Sequence, residues 1–284
     1  MTEQGSLRLR HVGKQYQVKG RIFDVLHDVT LDAEPGSFIS LVGSSGCGKS
    51  TLLRLIVGLD QTYDGRILLD GEPIRGTSLR RGIVFQDHRL LPWLTLSENI
   101  GLSLANVDWP QQRKRDAVRE HIELVGLTGF EQAYPYQLSG GMAQRAAIAR
   151  GLVSEPEILL LDEPLGALDA LTRIRLQDEL LRIWQARRVT MILVTHDVEE
   201  AVYLGDRVVV MAPRPGRIAA TFDVGEPRPR DRSSPGLARL RDRVMAALVS
   251  TTAEQLLSDA PETASRPALA ARSFAQSEQG FHPI

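Results

Sequence analysis

The chain has a single cysteine, Cys47, in 284 residues, which rules out an intramolecular disulfide and any metal site built from clustered thiolates. It is also short of net charge. Basic and acidic side chains nearly cancel, leaving −1 at pH 7, so there is no general electrostatic reason to expect nucleic acid or an anionic membrane surface as partner. No uninterrupted apolar run approaches the roughly 20 residues that span a bilayer. The polar start Met1-Thr2-Glu3-Gln4-Gly5 does not read as a secretory signal, so the chain is expected to stay in the cytoplasm. Internal repeats and sustained heptads are missing too. What remains is a soluble globular composition, 43 % hydrophobic and 24 % charged, long enough for one large domain or a domain with an appendage.

Against this background one stretch stands out. Gly43-Ser44-Ser45-Gly46-Cys47-Gly48-Lys49-Ser50-Thr51 satisfies G-x-x-x-x-G-K-[ST], the loop that cradles phosphates in P-loop NTPases. Ahead of it Ser37 to Val42 reads as a buried strand, and behind it Thr51 to Gly58 reads as a helix. Strand, glycine-rich turn and helix aim backbone N–H groups and a positive helix end at one point, where Lys49 adds a full charge. A triphosphate suits that point, and Ser50 offers a hydroxyl to Mg²⁺, a cation that prefers hard oxygens. Cys47 reads either as a small spacer or as a redox thiol at a helix N-terminus.

Other candidates follow from where apolar runs end. Leu7 to Val12 alternates as a half-exposed strand, and Tyr16 just beyond it either stacks on a nucleotide base or packs on the sheet. A connection leads from Tyr16 to Phe23, and Tyr63-Asp64-Gly65 reads as a turn. Gly82 to Phe85 is a short strand ending at Gln86, whose neutral amide can bond Mg²⁺ or a water without adding charge. Leu90 to Leu96 is apolar enough to be core or a docking surface. Trp109 to Val125 has the spacing of an exposed amphipathic helix. Ser139-Gly140-Gly141 opens a helix and forms a second anion grip. With only one lysine-bearing loop in the chain, this second grip reads as completing a site rather than forming its own.

Ile158 to Leu161 is wholly aliphatic, as a parallel strand covered on both faces requires, and it ends in Asp162 and Glu163. Asp162 is placed to hold hydrated Mg²⁺ and Glu163 to polarise a water against the γ-phosphate. Asp169 lies in a turn, and a helix is read from Arg173 to Gln185. The strand Val189 to Thr195 ends at His196, which either contacts the γ-phosphate or bonds structurally. Glu226 to Pro235 reads as a polar linker, Leu237 to Val249 as an amphipathic helix, and 258–284 as a poorly ordered tail.

Together these residues resemble the ATPase subunit of an ABC transporter over about residues 7–222. The phosphate loop, Gln86, the signature Leu138 to Gln144, the strand Leu159 to Glu163, Asp169 and His196 stand in the family's order and approximate spacing. A phosphate loop by itself leaves GTPases, kinases and helicases open, and the signature ahead of Leu159 to Pro164 closes most of these. The resemblance implies an α/β fold: a P-loop NTPase core with a mostly parallel sheet, an antiparallel β subdomain and a helical signature subdomain at about 90–155. It places the ATPase domain at 7–225, a C-terminal extension at 226–257 and a flexible tail at 258–284.

It further implies ATP and Mg²⁺ as cofactors. Tyr16 would stack on adenine, Gln86 and His196 would sense the γ-phosphate, and Glu163 would act as general base. In a head-to-tail homodimer, Ser139, Gly140 and Gly141 of one copy would close over ATP bound at Lys49 of the other. Leu90 to Trp93, Leu138 to Arg145 and Met211 to Ile218 resemble bacterial importers of nitrate, taurine and sulfonates, the aliphatic-sulfonate branch most of all. Permease subunits, a periplasmic solute-binding protein and a place on the cytoplasmic face of the inner membrane are then expected. Nucleic acid is not an expected partner. The rival readings are a nucleic-acid or ribosome-associated ABC ATPase and an exporter cassette.

Overall fold

In the computed structural model, which describes residues 4–258, the aliphatic runs form strands buried on both faces. The chain opens with β1 (Leu7–Val18), β2 (Arg21–Ala33) and β3 (Phe38–Gly43), then α1 (Lys49–Val57), β4 (Asp64–Leu69), β5 (Glu72–Pro73) and β6 (Arg81–Val84). Three helices follow, α2 (Leu96–Gly101), α3 (Gln111–Leu124) and α4 (Gly140–Leu152). The remainder alternates: β7 (Ile158–Asp162), α5 (Ala170–Arg187), β8 (Thr190–Thr195), α6 (Val198–Leu204), β9 (Arg207–Ala212), β10 (Arg217–Asp223) and α7 (Pro235–Ser258).

Two sheets result. One is antiparallel in the order β2-β1-β4-β5; the other runs β10-β9-β3-β8-β7-β6 and is parallel except where β10 joins β9. The alternation of side chains explains their stacking, because successive residues of a strand face opposite ways. In β7, Ile158 and Leu160 join a cluster with Leu52, Leu53 and Ile56 of α1 and with Leu9 and Ile67 of the antiparallel sheet. Leu159 and Leu161 point to the other side, into a cluster with Ile148 and Leu152 of α4 and Leu180 of α5. β8 repeats the pattern with Ile192 and Val194 against Met191 and Leu193. Each such fully buried side chain contributes about 1.5–3 kcal/mol of transfer free energy. A third cluster joins Val198 and Val202 of α6 to Val208 and Val210 of β9 and to Leu237, Leu240 and Val244 of α7.

Four local expectations are corrected. Tyr16 to Phe23 is no connection: β1 and β2 form a hairpin with Tyr16 opposite Phe23, turning at Lys19 and Gly20, both with positive φ. Asp64 and Gly65 belong to β4, where Gly65 (φ 86) lies beside a register shift between Arg10 and Gly13. The helix read from Arg173 begins at Ala170, because the Asp169 side chain caps it by accepting from Thr172 N–H at 3.0 Å. Residues 226–235 are not a free linker. Arg230, 6 % exposed, donates to the carbonyls of Tyr203 and Gly205 at 2.7 Å and of Val202 at 3.2 Å. Those are the carbonyls that the end of α6 leaves without helical partners. Arg228 pairs with Asp206 and the Leu204 carbonyl, and Arg232 reaches Gln177 and Asp178 of α5. The tail expected at 258–284 lies outside the described residues, except Ser258, which ends α7.

Arg230→Ala is expected to lower unfolding free energy by about 2–3 kcal/mol, since it strands buried carbonyls served by a charged donor. Arg230→Lys should recover only part of that, an ammonium being unable to reproduce the fork. Denaturant unfolding of the two variants measures both effects.

Candidate active site

Parallel register brings three strand ends level. Val42 lies beside Thr195, and Asp162 beside Val194. The residues that follow in each strand therefore meet at one edge of the sheet. From β3 the chain turns through Ser44 to Gly48 into α1. Gly48 has φ 92, and a Cβ there would sit 2.6 Å from Leu26 Cδ2 and 3.1 Å from the Val25 carbonyl oxygen, so this turn admits only glycine. Lys49 is buried, and its ammonium donates to the carbonyls of Gly43 at 2.7 Å and Ser44 at 3.1 Å. The charge is thereby fixed over the turn it serves. Cys47 is fully buried, and burial pushes its thiol pKa up against the opposing pull of Lys49. That favours the spacer reading over the redox one.

A cleft of about 430 Å³ opens over this turn, lined by Val25, Ser45, Gly46, Gly48, Lys49, Ser50, Thr51 and Glu163. Ser50 Oγ donates to Asp162 Oδ1 at 3.0 Å. Burial, helped by the Glu163 carboxylate and opposed by the Ser50 bond, lifts the Asp162 carboxyl above its usual range. A hydroxyl and a carboxylate side by side are hard-oxygen donors of the kind Mg²⁺ takes. Among the described residues no group of three or more His, Cys, Asp or Glu is arranged to hold a metal alone. Such an ion at Ser50 and Asp162 would draw its other ligands from water and phosphate.

Glu163 adopts φ 48 and donates its backbone N–H to the Val194 carbonyl at 2.9 Å. This left-handed corner costs an ordinary residue about 1–2 kcal/mol and swings the carboxylate into the cleft. There Oε2 lies 3.0 Å from His196 Nδ1. Gln86 joins them: a Cβ built on Gly166 would be 3.5 Å from Gln86 Nε2 and 3.7 Å from Glu163 Oε2. Tyr16 is half-buried on β1, its hydroxyl donating to Asp60 Oδ2 at 3.0 Å.

The remaining candidates lie elsewhere. Ser139 caps α4, its Oγ accepting from Met142 N–H at 3.3 Å. Ser139 and Gly141 line a second cleft of about 380 Å³ with Met142, Arg145, Thr172, Arg175, Leu176 and Glu179. The two clefts share no residue. Asp169 sits at the start of α5 beside the second, its carboxyl held below the usual range by bonds to Thr172.

Residues 26–166 match the ABC transporter family. The aliphatic sulfonates import ATP-binding protein SsuB of Bacillus cereus is 47 % identical over 234 residues, covering 82 % of this chain and 92 % of that protein. The uncharacterized ABC transporter ATP-binding protein MJ0412 of Methanocaldococcus jannaschii is 46 % identical over 242 residues, covering 85 % of this chain and 91 % of that one. Among solved structures, the dimeric post-hydrolysis state of the ATP-binding cassette MJ0796 bound to ADP and Pi superposes with a TM-score of 0.67. Its identity is 31 %, and the match covers 77 % of this chain and 98 % of that chain.

One group beside the site escapes a reading of motifs. Glu200 is 4 % exposed, four residues past His196; its Oε2 accepts from Thr195 Oγ1 at 2.6 Å, and Thr195 Oγ1 accepts from Asp197 N–H at 3.0 Å. The bonds bracket the corner carrying His196. The sequence carries no local signal for Glu200, since the adjacent Glu199 of the same turn is exposed. Burial raises the Glu200 pKa to about 7, with the Thr195 bond and the charges of Arg173 and His196 opposing and Asp197 assisting. The folded chain thus holds a proton that the unfolded one releases, and stability falls as pH rises from about 4.5 to 7. Glu200→Gln is expected to flatten that dependence, raising the melting temperature by a few degrees near pH 8 and little near pH 5; melting curves across this range test it.

Proposed function

The chain belongs to the ABC transporter family as an ATP-binding subunit whose ATPase activity is coupled to transport, and from that premise we propose that it drives an importer of aliphatic sulfonates. The observation that carries the mechanism is the separation of the two anion grips into clefts that share no residue. A lysine-bearing cleft in one copy is completed by Ser139, Gly140 and Gly141 of a second copy set head to tail, with Asp169 at the same seam. Exposed Leu171 (71 %) and Ile174 (42 %) flank the second cleft on the first turns of α5, as a surface covered in an assembly would.

Within a completed site, Lys49 and the N–H groups of the loop bind the β- and γ-phosphates, and Tyr16 stacks on adenine. Mg²⁺ between Ser50, Asp162 and the phosphates would neutralise charge there, with Gln86 reaching it or a ligating water. Glu163 accepts the proton of the attacking water at its carboxylate. His196 orients that carboxylate through Nδ1 and faces the γ-phosphate, while Gln86 reports whether that phosphate is present.

The partner surface we assign is a groove of about 710 Å³ between α2 and α3, with Leu104, Val118 and Ile122 among its lining and Lys114, Arg115 and Glu98 around it. Leu90 and Leu96 are core, whereas Trp93 is 68 % exposed, so the apolar segment serves both as core and as docking surface for a permease. In this reading residues 7–225 form the ATPase domain, with the helical part at about 90–155 facing the permease. Residues 226–257 extend it. The subunit works at the cytoplasmic face of the inner membrane, and a periplasmic binding protein delivers the solute. SsuB relatives support the sulfonate assignment.

Glu163→Gln should retain ATP binding, lose at least about a hundredfold in turnover and accumulate as a dimer with ATP on gel filtration. Undiminished turnover removes the general base, and a monomer removes the shared site. A disruption strain should fail to grow on alkanesulfonates as sole sulfur source yet grow on sulfate; normal growth on both would withdraw the sulfonate assignment.

A further inference from the structure

We propose that Lys14 is a positioning residue for nucleotide affinity: it fixes the ring of Tyr16 so that one face is presented to the base. The inference rests on the reading of Tyr16 as the stacking platform. Lys14 and Tyr16 are two residues apart on β1 and so share a face of the strand. Lys14 is only 4 % exposed, a rare place for an ammonium unless it is paired. Here the pairing is threefold, to Asp60 Oδ1 at 2.9 Å, Asp60 Oδ2 at 2.7 Å and the Thr62 carbonyl at 2.5 Å.

The same carboxylate receives the Tyr16 hydroxyl at 3.0 Å, while the Lys14 ammonium lies 4.6 Å from the Tyr16 ring centroid. That is within cation–π reach. Burial and then the Asp60 bond raise the Tyr16 pKa, which keeps the phenol a donor; the Thr51 hydroxyl, at the end of the phosphate loop, acts in the opposite sense. On Asp60, burial is outweighed by the bonds from Lys14, Thr62 N–H and Tyr16, so the carboxyl stays below its usual range and remains an acceptor.

One carboxylate just past the end of α1 thus grips both the ring's hydroxyl and the cation lying over the ring. A tyrosine so held has its rotamer chosen before the base arrives, and the entropy of fixing it is not charged to binding. The network meets the phosphate loop only at its helical end, through Thr51 on Tyr16. Lys14 itself bonds Asp60 and Thr62 and no residue of the loop, so the triphosphate should not sense its loss.

The test is calorimetric titration of the full chain with Mg·ATP and, separately, with Mg·tripolyphosphate. Lys14→Met is expected to weaken ATP about tenfold and leave tripolyphosphate unchanged, which also shows that the loop is folded. Lys14→Arg should restore most of the loss. Tyr16→Ala should weaken ATP at least as much, and adding Lys14→Met to it should have no further effect. Equal losses on both ligands, additive losses in the double variant, or an unaltered Lys14→Met overturn the positioning role. If Tyr16→Ala itself leaves ATP affinity unchanged, the stacking reading falls and takes this inference with it.

Discussion

The register of the central strands is the constraint on which the site depends. β7 and β8 send alternate side chains into two different clusters, and β3 divides its own among three, so a slip of one residue in any of them would exchange the sets and expose their packing. The pairings Val42 with Thr195 and Asp162 with Val194 are therefore enforced by burial along the length of each strand. They set the phosphate turn, the carboxylate pair and the histidine level at one sheet edge. Ser50 and Asp162, 112 positions apart, meet at 3.0 Å because of it.

At that edge local preference gives way to placement. A lysine is buried over its own turn, an aspartate is lifted above its ordinary pKa, and a glutamate takes a left-handed conformation. Each alone is unfavourable, and packing on both faces of the sheet holds all three. The clamp of Thr195, Asp197 and Glu200 and the arginines of 226–232 hold the two ends of α6. Residues far from phosphate thus help fix the corner from which His196 projects.

Much of this was legible in the chain because polar residues at the ends of aliphatic runs have few other roles. Lys49, Gln86, Asp162, Glu163 and His196 all stand where an apolar strand stops or turns, and the structure gathers them. The helix bounds were nearly legible as well, α3 to within two residues at either end. The hairpin at 16–23 was not: Val18, Ile22 and Phe23 are all half exposed or more, so the alternation that marks a strand is missing. The arginines of 226–232 looked like a solvated linker because composition does not reveal which carbonyls a guanidinium will meet. The tie between Lys14 and Asp60 spans 46 residues, and Glu200 looks like any helix glutamate; neither has a local pattern.

The separation of the clefts also follows from the packing. Gly141 lies against α5, a Cβ there falling 2.8 Å from Thr172 Cγ2, so the signature turn is wedged against the helix that Asp169 caps. α4 packs its buried face on α2, α3 and β6, which leaves Ser139 and Gly140 exposed at its free end. Folding one cleft onto the other within a single chain would require pulling α4 off these supports and uncovering a cluster that includes Ala146, Ile148 and Leu152. In the proposed head-to-tail pair, a second copy would complete the same constellation with both cores intact. On these grounds the proposed dimer is the less costly way to bring serine and glycine N–H groups to a phosphate at Lys49.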